Sequence, residues 1–532
     1  MAGGTFDKLA GKVRPGTYTN FETTKHDTLG ISERGTVVLP LTNHTYGPVG
    51  EFVELLTEAP DSKPEILGYS IYDEDENRQM LLIREAFKRA ARVYIYRLND
   101  GTKATVTKDG ITATAAYPGS RGNKLTYSIL ANPVEGFDLE INLDGNKVAY
   151  VEKVKTVEDL NAQNYIYFTG TYTGEGAQTT TTTGTGSTTR YNYIEELDAA
   201  DEGSPAGNGY YEEDDTSADG YKLTTDTEPV EGKSYYSREE IEVFDDDLDE
   251  ITETTTTENA TTLPLVAGVN LENGTDEAMK NGDVSAFLDK VEQLHFNALF
   301  FPITDASLQS AAKTKIKYIR ESIGRGVIVV MPDTLANNYE GVISVTNSVQ
   351  LGDDKLTHAE ACAWVAAAEA SASNTKGLTY EEYEGATAVV DPKTHEEAEA
   401  AINNGEFFFS MSESGAVIVE YDINTLTDFS GNKDESYRKN RVIRVFDTFM
   451  EAVQLNFPPN KYNNSPTGWD IMEGIGKAIL KSFEEAGAIK NVDYNADFIV
   501  DRAKSEGDKT FFNVGLEAVD GAEKLYFTIS TR

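Results

Sequence analysis

The chain has 532 residues, of which 39% are hydrophobic, and its formal net charge is −42. This length is sufficient for several domains with apolar cores. The large negative charge opposes binding to nucleic acid or to an anionic membrane surface, because both are themselves negative. We therefore expect no nucleic-acid partner. We also expect no membrane insertion, since no run approaches the roughly 20 apolar residues of a membrane-spanning helix.

The cysteine content excludes a disulfide framework within the chain, because Cys362 is the sole cysteine. Its apolar neighbours, among them Trp364 and Val365, predict a buried thiol in a helix rather than a reactive one. Residues 1–20 carry no apolar stretch of the length that a secretion signal needs. We expect the protein to be made and folded in a reducing cytoplasm.

The first third of the chain passes from an extended arm to compact structure. Residues 1–25 show little periodicity and predict an extended N-terminal arm, whereas residues 26–100 predict the first part of a core domain. Residues 101–171 consist of short runs rich in Thr, Val and Tyr, separated by turn signals such as Asp144-Gly145. This pattern predicts a small β-rich domain.

Residues 172–262 differ sharply in composition from the rest of the chain. Residues 191–260 contain 3 basic and 23 acidic residues, so their net charge is 3 − 23 = −20. Thr-rich runs at 178–189 and 254–257 flank this stretch. We interpret it as a module inserted on the outer surface. A disordered acidic loop and a small folded β unit both remain open; two tyrosine motifs of the form G-x-x-Y-Y favour the folded unit.

The second half of the chain alternates strand and helix patterns. In residues 263–425, apolar runs at 298–303 and 327–330 enclose a helical pattern, which predicts parallel α/β structure. A further strand is predicted at 342–349. Asp283 is expected to cap one helix, and Thr357 with Glu360 forms a capping box that begins an Ala-rich helix.

Residues 426–520 predict a C-terminal domain, and residues 521–532 predict a C-terminal arm. The domain carries helical patterns at 437–454 and 471–486. In the arm, Leu525, Phe527 and Ile529 alternate along one face, which predicts a closing strand.

No pattern of residues indicates catalysis, metal binding or a cofactor. The five histidines are far apart in sequence and lack the spacing of metal ligands: His26, His44, His295, His358 and His395. The chain has no phosphate-binding loop and no nucleophile elbow. The sequence therefore predicts neither enzyme nor cofactor.

Basic residues cluster near position 440 of this acidic chain. They are Lys433, Arg438, Lys439, Arg441 and Arg444. Two interpretations stay open: a solvated face with local ion pairs, or a docking surface for an acidic partner.

Six short segments resemble contractile phage tail sheath proteins, in the same order along the chain. They are RPGTYTNF at 14–21, RGTVVLPL at 34–41 with YGP at 46–48, AYPG at 116–119 with RGN at 121–123, YDINTLT at 421–427, NRVIR at 440–444 with Asp447, and EKLYF at 523–527. By their order they span nearly the whole chain except about residues 172–262, where nothing resembles the family. The likeness is to sheaths of phages of Gram-positive bacteria, defective prophages and phage-tail-like bacteriocins.

This resemblance implies a multidomain α+β and α/β fold. Its expected parts are a sheath-like core, a β-rich domain, the inserted acidic module and extended terminal arms. It further implies a structural subunit that polymerises with itself, as a helical homo-oligomer of stacked rings, around a tail tube. Contraction then drives the tube through the target cell envelope. The particle is expected to assemble in the bacterial cytoplasm and to leave by lysis.

The resemblance also assigns partners and sites. The partners are the tail tube protein and the baseplate and tail terminator proteins. The arms that join subunits are expected to use Arg14, Pro15, Gly16, Tyr18, Phe21, Leu525, Tyr526, Phe527 and Ile529. A C-terminal domain facing the tube is expected to contact it through Arg438, Lys439, Arg441 and Arg444. The alternatives are a non-contractile tail decoration or surface-binding module, and a cell-wall hydrolase, for which the sequence shows no acid pair or metal site.

Overall fold

The computed structural model describes residues 34–172, 263–334 and 337–531, and it describes short β-strands within 2–18 and 179–256. The α-helices of these described residues are α1 Pro64–Leu67, α2 Gln79–Phe87, α3 Asn281–Val291, α4 Ala306–Tyr318, α5 His358–Ser371, α6 His395–Asn403, α7 Asn440–Asn456 and α8 Pro466–Glu485. One π-helical turn, Ile319–Ile323, continues α4.

A seven-stranded sheet forms the centre of the fold. In spatial order its strands are Glu406–Phe407, Val342–Val345, Ile328–Pro332, Ala298–Phe300, Thr36–Leu41, Arg92–Arg97 and Phe52–Leu56. All neighbouring pairs are parallel except the last, which is antiparallel. The parallel pairing expected around 298–330 is confirmed. Segments on both sides of the β-rich domain thus build one central domain.

The strand predicted at 342–349 is two strands. Val342–Val345 belongs to the central sheet, whereas Ser348–Leu351 pairs with Asp354–Lys355 and Ala386–Val390 in a separate small sheet. Nearby, Phe409–Met411 and Val417–Val419 form a hairpin. The polar residues Thr346, Asn347 and Ser348 lie at this break, and the prediction of a single strand overlooked them.

Helices cover both faces of the central sheet. Along Thr36–Leu41, Val37 packs in the cluster around α5 and Val38 in the cluster around α3 and α4, as the two-residue period of a strand requires. Helix α5 is buried on all sides over residues 361–370, and Cys362 has no exposed surface. The prediction of a buried thiol is confirmed.

The helix starts follow local capping chemistry. Thr357 accepts from the backbone N–H of Glu360, and the Glu360 carboxylate accepts in return from the Thr357 backbone, which confirms the capping box. The expected cap at Asp283 is corrected, because α3 begins at Asn281 and Asp283 lies in its first turn. There its carboxylate accepts from the Lys280 backbone N–H at 2.8 Å.

The β-rich domain is a sandwich of two antiparallel four-stranded sheets around one apolar core. One sheet consists, in order, of Asn146–Val154, Phe137–Leu143, Leu125–Ala131 and Val266–Asn270. The other consists of Ile166–Gly170, Ile111–Pro118, Gly101–Lys108 and Thr275–Asp276. The inserted module therefore leaves from one sheet and returns to the other.

Short antiparallel strand pairs occur within the inserted module. Thr179–Thr183 pairs with Thr252–Thr256, and Ser187–Tyr193 pairs with Tyr236–Glu242. The last tyrosines of the two G-x-x-Y-Y motifs are register partners, because Tyr211–Glu213 pairs at Tyr211 with Tyr236 and also pairs with Tyr221–Leu223. These strand pairs favour a small folded β unit over a disordered acidic loop. Most of the acidic residues lie outside the described residues.

The C-terminal domain packs α7 and α8 against the two-stranded sheet of Phe498–Val500 and Phe512–Val514. Both predicted helices are present, with shifted ends. A 3₁₀ turn, Glu435–Arg438, precedes α7. Helix α8 begins early, because the Ser465 hydroxyl accepts from the Gly468 backbone N–H at 3.2 Å.

Candidate functional site

The start of α7 lies at the junction between the central domain and the C-terminal domain. Arg444 donates to Glu369 of α5 at 2.5 Å and to Asp422 at 3.3 Å. Asn440 donates to the same two carboxylates, at 3.2 Å and 2.8 Å. The side chains of Arg444, Glu369 and Asp422 are each at most 2% exposed. Arg444 therefore fastens two domains together and does not face solvent.

The two carboxyl groups of this buried cluster have pKa values that are shifted in opposite directions. Burial, with the negative charge of Asp422 beside it, raises the pKa of Glu369 well above its ordinary value. Burial acts in the same direction on Asp422, but Arg444 and several hydrogen-bond donors outweigh it and lower the pKa of that group. Glu369 therefore keeps its proton to a higher pH than Asp422 does, and within that interval one arginine balances one carboxylate.

Lys439 is also occupied within the chain. Its ammonium group pairs with Glu523, whose carboxylate accepts a second hydrogen bond from the Thr379 hydroxyl at 2.6 Å. The ammonium lies 3.9 Å from the centre of the Tyr421 ring. Burial disfavours its charge, but the bond to Glu523 prevails and raises the pKa of Lys439. Lys439 thus binds the first residues of the C-terminal arm.

The expectation of an exposed basic surface is corrected for three of the four predicted tube contacts. Arg438, Lys439 and Arg444 are buried, and Arg441 is half-buried. Lys433, at the edge of the cluster, pairs with Glu340 at 2.5 Å. For Lys433, Lys439 and Arg444 the physical reason is that carboxylates from distant parts of the chain pair with them.

Sequence reasoning missed the acidic side of this cluster. Asp422 and Glu523 stand in segments that resemble the family, but neither was assigned a role, and Glu369 was not singled out. One signal was available. With 89 acidic and 47 basic residues in the chain, a cation buried in a domain junction is expected to meet a carboxylate.

The C-terminal arm exposes its apolar side chains. Leu525, Tyr526, Phe527 and Ile529 are 66%, 90%, 81% and 87% exposed. The closing strand predicted here is not formed in the single chain, which is a correction. A strand requires hydrogen bonds to a neighbouring strand, and within the described residues this segment has none. The alternation of side chains remains available for pairing with another chain.

The N-terminal arm is described only at two short strands. Gly16–Tyr18, which contains two of the predicted arm residues, pairs in parallel with Ala2–Gly4. Arg14, Pro15 and Phe21 lie outside the described residues. The role of this arm between subunits therefore stays a prediction.

The small sheet of the C-terminal domain has open edges. Among the described residues, Phe498–Val500 and Phe512–Val514 pair only with each other. Val514 of its second strand is 42% exposed, and Phe511, directly before that strand, is 46% exposed. Two strands are marginal as a sheet, and their free backbone groups are able to accept a further strand.

The described residues contain no group of three or more His, Cys, Asp or Glu side chains arranged to hold a metal ion. Nor does any helix among them combine the length and the apolar character needed to cross a membrane.

Family models for phage tail sheath proteins match three parts of the chain: the β-sandwich domain at residues 99–189, the central domain at 277–425 and the C-terminal domain at 432–532. A crystal structure of a sheath tail protein from Desulfitobacterium hafniense is 30% identical. The match covers 96% of this chain and 99% of that protein's chain, with a TM-score of 0.69. The chain belongs to the phage tail sheath protein family.

Two further relatives resemble the chain along nearly its full length. The sheath tail protein of Listeria innocua is 28% identical, covers 94% of this chain and 95% of its own, and has a TM-score of 0.64. The phage-like element PBSX protein XkdK of Bacillus subtilis strain 168 is 29% identical over 99% of both chains. The sheath family and fold expected from the sequence are confirmed, and with them a structural role in a contractile tail sheath.

Proposed function

We propose that copies of this sheath protein polymerise as stacked rings in a helix around a tail tube, and that contraction of this helix drives the tube through a target cell envelope. Identical subunits joined head to tail form an open helix when their rotation does not close. Contraction requires two packings of the same folded unit, with the extended one held behind a barrier. Neither requirement involves catalysis, so the protein acts without enzyme activity or cofactor.

The observation that carries this proposal is the exposed apolar arm at residues 525–529. Four large side chains on one short segment stay in water in the single chain. Burying their apolar surface would stabilise the assembly by about 25 cal/mol per Å². The two-stranded sheet of the C-terminal domain offers the complementary feature, since its edges have no partner strand among the described residues. In the sheath, the arm of one subunit adds a strand to that sheet in the next. The N-terminal arm contributes a second connection of the same kind.

The other partners follow from this arrangement. The C-terminal domain faces the tube protein, and Arg441 is the predicted contact that keeps part of its surface exposed. Baseplate and tail terminator proteins bind the two ends of the sheath. The particle assembles in the cytoplasm of the bacterial host and leaves by lysis.

Negative-stain electron microscopy of the purified protein at rising concentration tests the proposal. Hollow tubes of one diameter are expected for the wild type and are expected to be absent for Phe527→Asp, because a charge in the arm opposes its burial. Val134→Asp is the matched control, since Val134 is 79% exposed in the sandwich domain, away from the arm. Wild-type monomers that persist even after tube protein is added would contradict the proposal and favour a non-contractile tail decoration or surface-binding module.

A further inference from the structure

The segment that leads to the C-terminal arm is held by backbone hydrogen bonds between residues 515 and 519. The Gly515 backbone N–H donates to the Asp497 carbonyl at 3.0 Å, directly after the small sheet. The Glu517 carbonyl then accepts from Lys490, and the Val519 N–H donates to Ala488, each at 2.9 Å. These bonds fix the segment against the loop that follows α8.

Glu523 ends this fixed segment in a pocket made by two domains. Its carboxylate binds the ammonium of Lys439 at the start of α7 and the hydroxyl of Thr379 in the central domain. The Thr379 hydroxyl is itself positioned, because it accepts from the Asp422 backbone N–H at 3.1 Å. The side chain of Glu523 is 17% exposed and that of Lys439 is 7% exposed. Water therefore competes poorly for this pair.

Every residue from 524 to 531 is exposed, whereas exposed and half-buried residues are mixed in the segment before Glu523. Lys524 is exposed, with its ammonium 5.9 Å from the Tyr421 ring, and Leu525 and Tyr526 are 66% and 90% exposed. The ion pair thus marks the boundary between chain that belongs to the subunit and chain that extends beyond it.

We propose that Glu523, Lys439 and Thr379 form a positioning clamp, which fixes the point and direction at which the C-terminal arm leaves the subunit. The consequence for assembly rests on the proposed function, in which this arm joins neighbours. A fixed origin raises the effective concentration of the arm at the edge it must reach. A free origin spreads the arm over a larger volume and adds an ordering cost to each junction. Within the basic cluster, Lys439 then serves the arm rather than the tube.

Hydrogen–deuterium exchange of the unassembled subunit tests the clamp without requiring assembly. Glu523→Ala is expected to speed exchange of the Val519 amide, which donates to Ala488, by about tenfold or more, because opening of this segment no longer has to break the buried ion pair. Glu517→Ala is the matched control: Glu517 lies on the same segment but pairs with Lys490 on the surface, where both side chains are more than half exposed. Its effect is expected to stay below about twofold. Equal exchange in the wild type and Glu523→Ala would overturn the clamp.

Two further variants protect the test against misfolding. Glu523→Gln retains an acceptor for Thr379 and loses the charge, so exchange between the wild-type and Glu523→Ala rates is expected. Lys439→Glu combined with Glu523→Lys restores an opposite-charge pair, and slower exchange than in Lys439→Glu alone supports the clamp. Exchange as fast as in that single variant counts against it.

Assembly provides the second readout. Glu523→Ala is expected to raise the protein concentration needed for tube formation several-fold, while Glu517→Ala leaves it unchanged. Failure of the wild type to form tubes even after tube protein is added would refute the proposed function and leave the exchange test of the clamp standing. Unchanged assembly by a Glu523→Ala protein with fast exchange would overturn the role of the clamp in joining subunits.

Discussion

Arg320 and Asp447, 127 positions apart in the sequence, meet in a two-pronged ion pair. Both guanidinium–carboxylate distances are 2.8 Å, and the side chains are 11% and 8% exposed. Arg320 lies in the π-helical turn after α4, and Asp447 lies in α7. The pair therefore joins the central domain to the C-terminal domain, beside the buried cluster of Arg444.

Removing one partner of this pair is expected to be costly. Asp447→Ala leaves the Arg320 charge buried without its carboxylate, which typically costs about 3–5 kcal/mol. Denaturant unfolding followed by tryptophan fluorescence measures the effect, since Trp364 reports on α5 and Trp469 on α8. Glu321→Ala removes an exposed pair with Lys317 at 3.9 Å and is expected to change stability by less than about 1 kcal/mol. Equal losses in the two variants would contradict this prediction.

Two glycines on α8 are expected to respond in opposite directions to the same substitution. A β-carbon at Gly476 would lie 2.0 Å from the Phe498 ring, so Gly476→Ala forces helix and sheet apart and is expected to destabilise the domain by about 1–3 kcal/mol. A β-carbon at Gly474 would meet nothing within 4 Å, so Gly474→Ala is expected to stabilise the helix by about 0.5–1 kcal/mol. Thermal unfolding of both variants provides the measurement. Shifts of the same sign would show that helix propensity, and not the contact with Phe498, governs position 476.

Ionisation of Glu369 is expected to weaken the domain junction as the pH rises. Its folded pKa is raised, so its contribution to stability is fully present below the unfolded pKa of about 4.3 and is lost as the pH rises through the folded pKa. The lowered pKa of Asp422 has its effect at acidic pH, where stability is lost as the pH falls through the folded pKa of that group. Glu369→Gln mimics the protonated form and removes the first effect alone.

Unfolding midpoints of the wild type and Glu369→Gln, measured from about pH 5 to about pH 9, check this prediction. The difference is expected to shift steadily in favour of the variant as the pH rises, because the other titrating groups are common to both proteins. Parallel profiles would mean that Glu369 is ionised throughout this range in the folded protein.

Cys362 is expected to resist thiol reagents in the native protein. Its side chain has no exposed surface, and burial raises the pKa of the thiol well above its ordinary value. A chromogenic disulfide reagent at mildly alkaline pH is expected to label one thiol per chain in denaturant and almost none without it. Rapid labelling of the native chain would show that α5 opens readily to solvent.

Local patterns in the sequence predicted much of the secondary structure. The capping box at Thr357 and the buried strands around 298–330 depend on neighbouring residues, and the structure confirms both. The predicted helix ends were less accurate. At the start of α3 several polar residues are candidates for the cap, and the carboxylate that binds the Lys280 backbone N–H is that of Asp283, inside the first turn.

Contacts between distant residues account for the errors at the candidate site. Arg444 was predicted to contact the tube because it belongs to the basic cluster and because of the family resemblance, whereas its partner Glu369 stands 75 positions away on a helix that itself looked apolar. The closing strand at Leu525 and Phe527 was predicted from correct alternation, but alternation describes one strand and says nothing of the chain that pairs with it.

The inserted module has its two ends side by side. Thr179–Thr183 and Thr252–Thr256 form an antiparallel ladder, in which paired residues lie about 5 Å apart. A foreign domain whose own termini are close together is therefore expected to replace residues 184–251 without strain on either sheet of the sandwich. Every subunit of an assembled sheath would then display one copy, so this ladder is a grafting point for a regular, multivalent array of cargo.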